Sequence, residues 1–195
     1  MKSGFSYDVD GEVLVRAKQG DVAAMSQIYR QFSAPVYTLG LRICPGNADA
    51  EDVVQDTFID AFRKLDQYRG DAPFWAWLKR VAINTALMRL RKERRWDSAL
   101  EEVNSDDLNN HAAVRANDPS NAMDAEKKLS QLPAVTRTVL WLHDVEGYTH
   151  REIAGMMGKT ESFSKSQLSR GHEKMRVLLQ WKTTKTGNTR TQQNC

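Results

Sequence analysis

The chain has 195 residues, of which 41% are hydrophobic and 27% charged, so it can bury a core and is not a low-complexity or disordered polymer. Its formal net charge is only +3, which neither requires nor excludes an acidic partner, so the distribution of charge has to decide. Cys44 and Cys195 show no CxxC or Cys/His spacing, which argues against a disulfide framework and leaves no metal or cofactor to be expected.

Strand-like alternation is absent and apolar residues recur at three and four, so the expected fold class is all-α. A first helix is predicted near 10–18, ending at Gly20. Asp21 can cap a second helix to about residue 44, interrupted at Pro35. Pro45-Gly46 is a break, and Asn47 is placed to cap a helix to about residue 67 with Asp49, Glu51 and Asp52 in its first turns. Residues 68–72 read as a loop, and Pro73 suits the first turn of the next helix. In that helix Phe74 and Trp77 share a face with Leu78 and Val81, whereas Trp75 lies about 100° from Phe74, where one core stripe does not need it.

From residue 97 to 121 there are six acids against one Arg and little apolar periodicity, the signature of a linker. Helical patterning returns over 122–131. Pro133 can start a helix to about residue 145, and Thr149-His-Arg-Glu152 is a capping box for a short helix closed by Gly158. Thr160 can cap a last helix to about residue 181, followed by a polar tail. The expected organisation is therefore two small helical domains, 9–96 and 122–182, joined by a flexible acidic linker over 97–121, with a tail over 183–195. The start of the chain has no apolar run and no stretch is long enough to span a bilayer, so a soluble cytoplasmic protein without membrane insertion is expected.

Two charge patterns ask for partners. Asp49, Asp52, Asp56 and Asp60 fall within roughly 80° of one helix face, with like charges at i,i+4, bordered by Gln55 and Ile59. That face is either an ordinary solvated surface or a docking surface for a basic protein, with Ile59 as apolar anchor. From residue 76 to 95 the sign reverses, with seven Lys/Arg against one Glu beside Phe74, Trp75 and Trp77. That segment is either a buried helix with a solvated basic end or a nucleic-acid surface. Residues 149–181 have the length and turn of a helix-turn-helix. Leu168, Met175, Leu178 and Leu179 form its inward stripe, with Ser164 and Gly171 in line, while Lys165, Ser166, Ser169 and Arg170 point away from it.

These residues resemble a known family. Ala48-Asp-Ala-Glu-Asp-Val-Val-Gln-Asp-Thr-Phe58 is similar to region 2.2 of the extracytoplasmic-function (ECF) sigma factors of bacterial RNA polymerase. Tyr68-Arg-Gly-Asp71 and Phe74-Trp-Ala-Trp-Leu-Lys-Arg-Val-Ala-Ile-Asn84 resemble regions 2.3 and 2.4, and Glu146-Gly-Tyr-Thr-His-Arg-Glu-Ile-Ala154 with Lys165-Ser-Gln-Leu-Ser-Arg170 resembles region 4. The resemblance implies a transcription initiation factor that binds core RNA polymerase, recognises −10 and −35 promoter elements and promotes promoter opening, without enzymatic activity. It implies that Asp49, Asp52, Gln55, Asp56 and Ile59 dock on the β′ clamp. Arg69, Gly70, Asp71 and Phe74 would capture a flipped −10 base, with Arg80 and Asn84 as further −10 contacts and the Trp77 position as core. Region 4, through Glu161, Ser162, Lys165, Ser166, Ser169 and Arg170, would bind the −35 element and the β flap. Many members are held inactive by an anti-sigma factor, which is therefore a candidate partner. In the family the linker threads the polymerase cleft; its acids either imitate nucleic-acid charge there or simply keep a tether in solution.

The last helix departs from the family's pattern at Ser162-Phe-Ser164, Gln167 and Gly171-His172. Two other functions fit the sequence less well. A stand-alone helix-turn-helix regulator leaves the acidic face unexplained. A metal-dependent nuclease is disfavoured because the acids line one helix face rather than converge, and His111, His143, His150 and His172 show no ligand motif.

Overall fold

The computed structural model describes residues 8–44, 46–92 and 128–185, with side chains as far as residue 178. The described residues form seven α-helices and no strand: α1 (Gly11–Lys18), α2 (Val22–Ile43), α3 (Asn47–Arg63), α4 (Phe74–Lys92), α5 (Ala134–Leu140), α6 (His150–Met157) and α7 (Glu161–Lys185). A 3₁₀ turn, Leu65–Gln67, follows α3, and a π turn, Trp141–Val145, follows α5. No described helix is long and apolar enough to cross a membrane.

Asp10 and Asp21 cap α1 and α2; the Asp21 carboxylate accepts from Ala23 N at 2.8 Å and Ala24 N at 3.3 Å. Two local expectations need correction. Pro35 does not interrupt α2, because Phe32, Val36, Leu39 and Ile43 are buried on both sides of it and hold the helix together despite the missing amide. Asn47 does not cap α3. Gly46, extended at φ −128°, takes the cap position without a side-chain hydrogen bond, and Asn47 is the first helical residue. Asp49 in the first turn supplies the favourable charge instead. The α3 helix also stops at Arg63, and α7 continues to Lys185, four residues past Trp181.

The N-terminal core is built by Phe32, Leu39 and Ile43 of α2, Val53 and Phe58 of α3, and Phe74, Leu78, Ile83, Leu87 and Leu90 of α4. Each such fully buried side chain contributes about 1.5–3 kcal/mol. At the α2–α3 crossing a Cβ on Gly40 would lie 3.0 Å from Ala50 Cα, so a larger residue would push the two helices apart by a few tenths of an ångström. In the C-terminal half, Thr149 and Glu152 complete the capping box of α6, and Gly158 closes it at φ 63°. Thr160 Oγ1 then accepts from Phe163 N at 3.2 Å, as a cap of α7 should.

The two halves pack on each other, which sequence patterning did not anticipate. Arg137 Nε of α5 donates to Arg42 O at 2.9 Å, and its Nη2 donates to Cys44 O at 3.5 Å. The Arg42 guanidinium lies 3.9 Å from the Trp141 ring centre. Lys79 Nζ meets Glu146 Oε2 at 2.9 Å with both side chains largely enclosed, and Arg91 donates to Met156 O at 2.7 Å. The expected linker, 97–121, and most of the expected helix over 122–131 lie outside the described residues, as do Cys195 and most of the tail.

Candidate protein and nucleic-acid interfaces

The outward face of α3 is the first site. Val53, Val54, Thr57, Phe58 and Ala61 are buried, which rotates Gln55, Asp56 and Ile59 outward; Ile59 is 40% exposed. A groove of about 510 Å³ opens here, lined by Tyr29, Glu51, Val54, Gln55, Phe58, Ile59 and Phe62. Asp49 and Asp52 are less free than their spacing suggested. Arg89 of α4 donates from Nε to Asp49 Oδ1 at 3.3 Å and from Nη2 to Asp52 Oδ2, while Lys64 pairs with Asp60 at 3.0 Å. The mutual repulsion of these acids is therefore partly offset within the domain, and of the expected docking residues Gln55, Asp56 and Ile59 form the open part.

The second site is the loop before α4 and the outer face of that helix. Lys18 Nζ donates to Tyr68 O at 2.8 Å and Tyr68 Oη donates to Ala72 O at 2.7 Å, so the loop is tied at both ends. Between the ties Arg69, Gly70 and Asp71 are exposed, with Gly70 at φ 84°. Phe74 is separated from them: it is 0% exposed, surrounded by Phe32, Tyr68 and Trp77. A base cannot reach that ring in this arrangement, so Phe74 forms the floor beneath the loop. Trp77 is half-buried and packs on Tyr68 and Phe74. Arg80 and Asn84 are exposed one turn apart on α4, followed by Met88 at 56% exposure. Trp75 faces Lys79, whose Nζ lies 5.3 Å from its ring centre and 5.8 Å from that of Tyr148 in the other half.

The third site is the start of α7. Glu161, Ser162, Lys165, Ser169 and Arg170 are exposed and Ser166 is half-buried, so the predicted outward set does share the open face. Its inner face holds two fully buried polar residues, Ser164 and Gln167, of which Gln167 was not expected there. Among the described residues no group of His, Cys, Asp and Glu is arranged to hold a metal ion.

Sigma-70 region 2 matches residues 28–96 and Sigma-70, region 4 matches residues 122–175, which together cover the faces just described. The chain is 31% identical over 188 residues to the RNA polymerase sigma-H factor of Pseudomonas aeruginosa, covering 90% of this chain and 96% of that one. The chain belongs to the ECF sigma factors. It is a transcription initiation factor, and the ECF RNA polymerase sigma-E factor of Escherichia coli is 30% identical to it over 179 residues, 86% of this sigma factor and 93% of that one. In fold it resembles the sigma factor RpoE solved with the anti-sigma factor NepR from Bartonella quintana, at a TM-score of 0.53 and 24% identity, covering 82% of this chain and 98% of that one. It also resembles CnrH solved with the cytosolic domain of CnrY, at a TM-score of 0.50 and 24% identity, covering 87% and 96%. The sigma factor's missed contact residues are Arg89, Lys79 and Glu146. Arg89 and Lys79 lie on α4 and Glu146 in the turn after the π turn; Arg89 meets Asp49 and Asp52, 40 and 37 positions away, and Lys79 meets Glu146, 67 positions away, so no local spacing marks these pairs.

Proposed function

We propose that the three faces divide the work of initiation, with α3 held by the polymerase and α4 and α7 by promoter DNA. Gln55, Asp56 and Ile59, with Asp49 and Asp52 behind them, dock on the β′ clamp: an exposed isoleucine beside an apolar groove and an acid suits a basic helical surface with apolar anchors. Arg69, Gly70 and Asp71 form the rim that receives a flipped −10 base, and Arg80 and Asn84 hold the neighbouring strand. Melting costs about 1.4 kcal/mol per stacked step, and extruding a base costs a few kcal/mol more, which a receiving loop and backbone-holding cations offset. Glu161, Ser162, Lys165, Ser166, Ser169 and Arg170 enter the −35 major groove, with the β flap as a further contact of the same half. The factor works by binding rather than by chemistry of its own, in the cytoplasm where core polymerase and promoter meet, and an anti-sigma factor is its natural inhibitor.

The observation that carries this reading is an open α3 face on which Gln55, Asp56 and Ile59 border an apolar groove, beside an α4 that leaves Arg80 and Asn84 exposed. Run-off transcription with core polymerase on a library of genomic fragments tests it: discrete start sites are expected only when the chain is added, and their absence overturns the reading. For the docking face, Asp56→Arg is the cleanest variant, because Asp56 is exposed. Core affinity is expected to fall about tenfold or more with an unchanged melting temperature; equal affinity in a labelled pull-down removes Asp56 from the interface.

A further inference from the structure

The departures of α7 from the family's usual pattern meet matching residues on α5, the π turn and α6. Gln167, 1% exposed, accepts at Oε1 from the hydroxyl of Thr136, also 1% exposed, at 2.7 Å. One turn along α7, Gly171 faces the same threonine. A Cβ there would lie 3.2 Å from Thr136 Cγ2 and 2.9 Å from Leu140 Cδ1. Thr136 therefore uses both branches on α7, its hydroxyl on Gln167 and its methyl in the space that Gly171 leaves. Ser164, 0% exposed, meets His150 Nδ1 at 3.0 Å, and His172 Nε2 meets Asp144 Oδ2 at 2.6 Å.

Apolar residues at these positions would bury comparable area, and such a swap is often neutral or stabilising. What a buried polar pair adds is register: if the helix slides or rolls, both partners lose their hydrogen bond while remaining buried. The smooth surface at Gly171 makes that constraint necessary, because a glycine contact by itself resists sliding poorly. Lys165, Ser166, Ser169 and Arg170 lie on the outer side of the same turns, and hydrogen bonds to base edges tolerate displacements of only about 0.5 Å.

We infer that Thr136 and Gln167 are positioning residues for −35 recognition, fixing the roll and axial position of α7 without touching DNA. The inference rests on the reading of α7 as the −35-binding helix. Three variants separate positioning from stability. Thr136→Val keeps the methyl packing and removes the hydroxyl. Thr136→Ser keeps the hydroxyl and removes the methyl. Gln167→Leu removes the acceptor. Each full-length variant is combined with core polymerase and transcribes linear templates randomised over the −35 and −10 segments; sequencing the transcribed templates gives the enrichment of the preferred −35 hexamer, and melting temperatures are measured alongside. Thr136→Val and Gln167→Leu are expected to lower that enrichment about tenfold, the scale of one lost base contact. Thr136→Ser is expected to keep it despite a lower melting temperature. Enrichment that follows melting temperature instead, or that Thr136→Val leaves at the wild-type level, overturns the positioning role. A wild-type holoenzyme with no −35 preference overturns the −35 assignment of α7 itself, and with it this role.

Discussion

Arg69 and Phe74 stand five positions apart and have opposite fates. Arg69 is exposed on the loop, whereas the Phe74 ring lies 5.4 Å from Tyr68, 5.6 Å from Trp77 and 6.0 Å from Phe32 between centroids. Phe74→Ala should cost about 3–5 kcal/mol in urea denaturation, as a buried aromatic does. Arg69→Ala should change stability by less than about 0.5 kcal/mol while slowing open-complex formation. Reversed effects on the two measurements would place the base-capturing surface on the ring instead of the loop. Trp75 also finds its reason at this scale: it is off the core stripe because it faces Lys79 and the opposite half of the molecule. Spacing alone revealed that it was surplus to the core, but not what it faced.

Among the elements, α3 shows how a correct pattern can carry a wrong energy. Its acids do share a face, yet Arg89 and Lys64 meet three of them, so the helix is not held under strain until a partner arrives. In the C-terminal half, the π turn, α6 and α7 converge on a histidine cluster. His150 stacks on His143 at 4.6 Å, and Asp144 bonds His143 at 2.8 Å and His172 at 2.6 Å. Burial, His143 and Lys165 hold His150 below its ordinary value against the opposing pull of Glu161. For Asp144, burial pushes upward, but hydrogen bonds from His143 and His172 outweigh it and keep the carboxyl below the usual range. A depressed histidine contributes stability above about pH 6.5 that is lost as pH falls below it, because the unfolded chain takes the proton first. Asp144 adds a loss of the same sign only below about pH 3.9. Thermal melts at pH 7.5 and 5.5 should therefore show a lower midpoint at the acidic value, with a smaller drop in His150→Asn. Equal drops in wild type and variant would exclude His150 as the source.

For the whole molecule, the packed halves pose a geometric problem. Elements centred at −35 and −10 are about 25 base pairs apart, roughly 85 Å along B-DNA. A packed chain of this length has a radius of gyration of about 16 Å. With the −10 and −35 elements assigned to the two halves as proposed, the halves are expected to separate when both are engaged, and the contacts among Lys79, Glu146, Arg137 and Arg42 are those expected to open. Lys79 is the key member, because it projects from α4 near Arg80 and is enclosed by Glu146 and Tyr148. Glu146→Ala strands that charge inside the junction, a change costly only while the halves stay packed. Small-angle scattering of the free variant should show a larger radius than wild type. Core affinity should rise several-fold, since less of the population must first open. An unchanged radius and affinity would mean that the junction is not held by this pair.

Most helices, the capping box of α6, the open part of the α3 face and the outward residues of α7 were legible in the sequence, because amphipathic period and cap chemistry are local and act within a few residues. The family was legible for a related reason: its motifs are short contiguous runs that can be read without knowing where their side chains end up. What only the tertiary structure decided involves residues far apart in the chain. It joined Arg89 to the acids of α3, placed Phe74 inside and Arg69 outside, paired Thr136 with Gln167, and closed Lys79 onto Glu146. Each of those outcomes depends on how distant elements pack, and helix crossings are set by the packing of whole faces rather than by the spacing within any one of them.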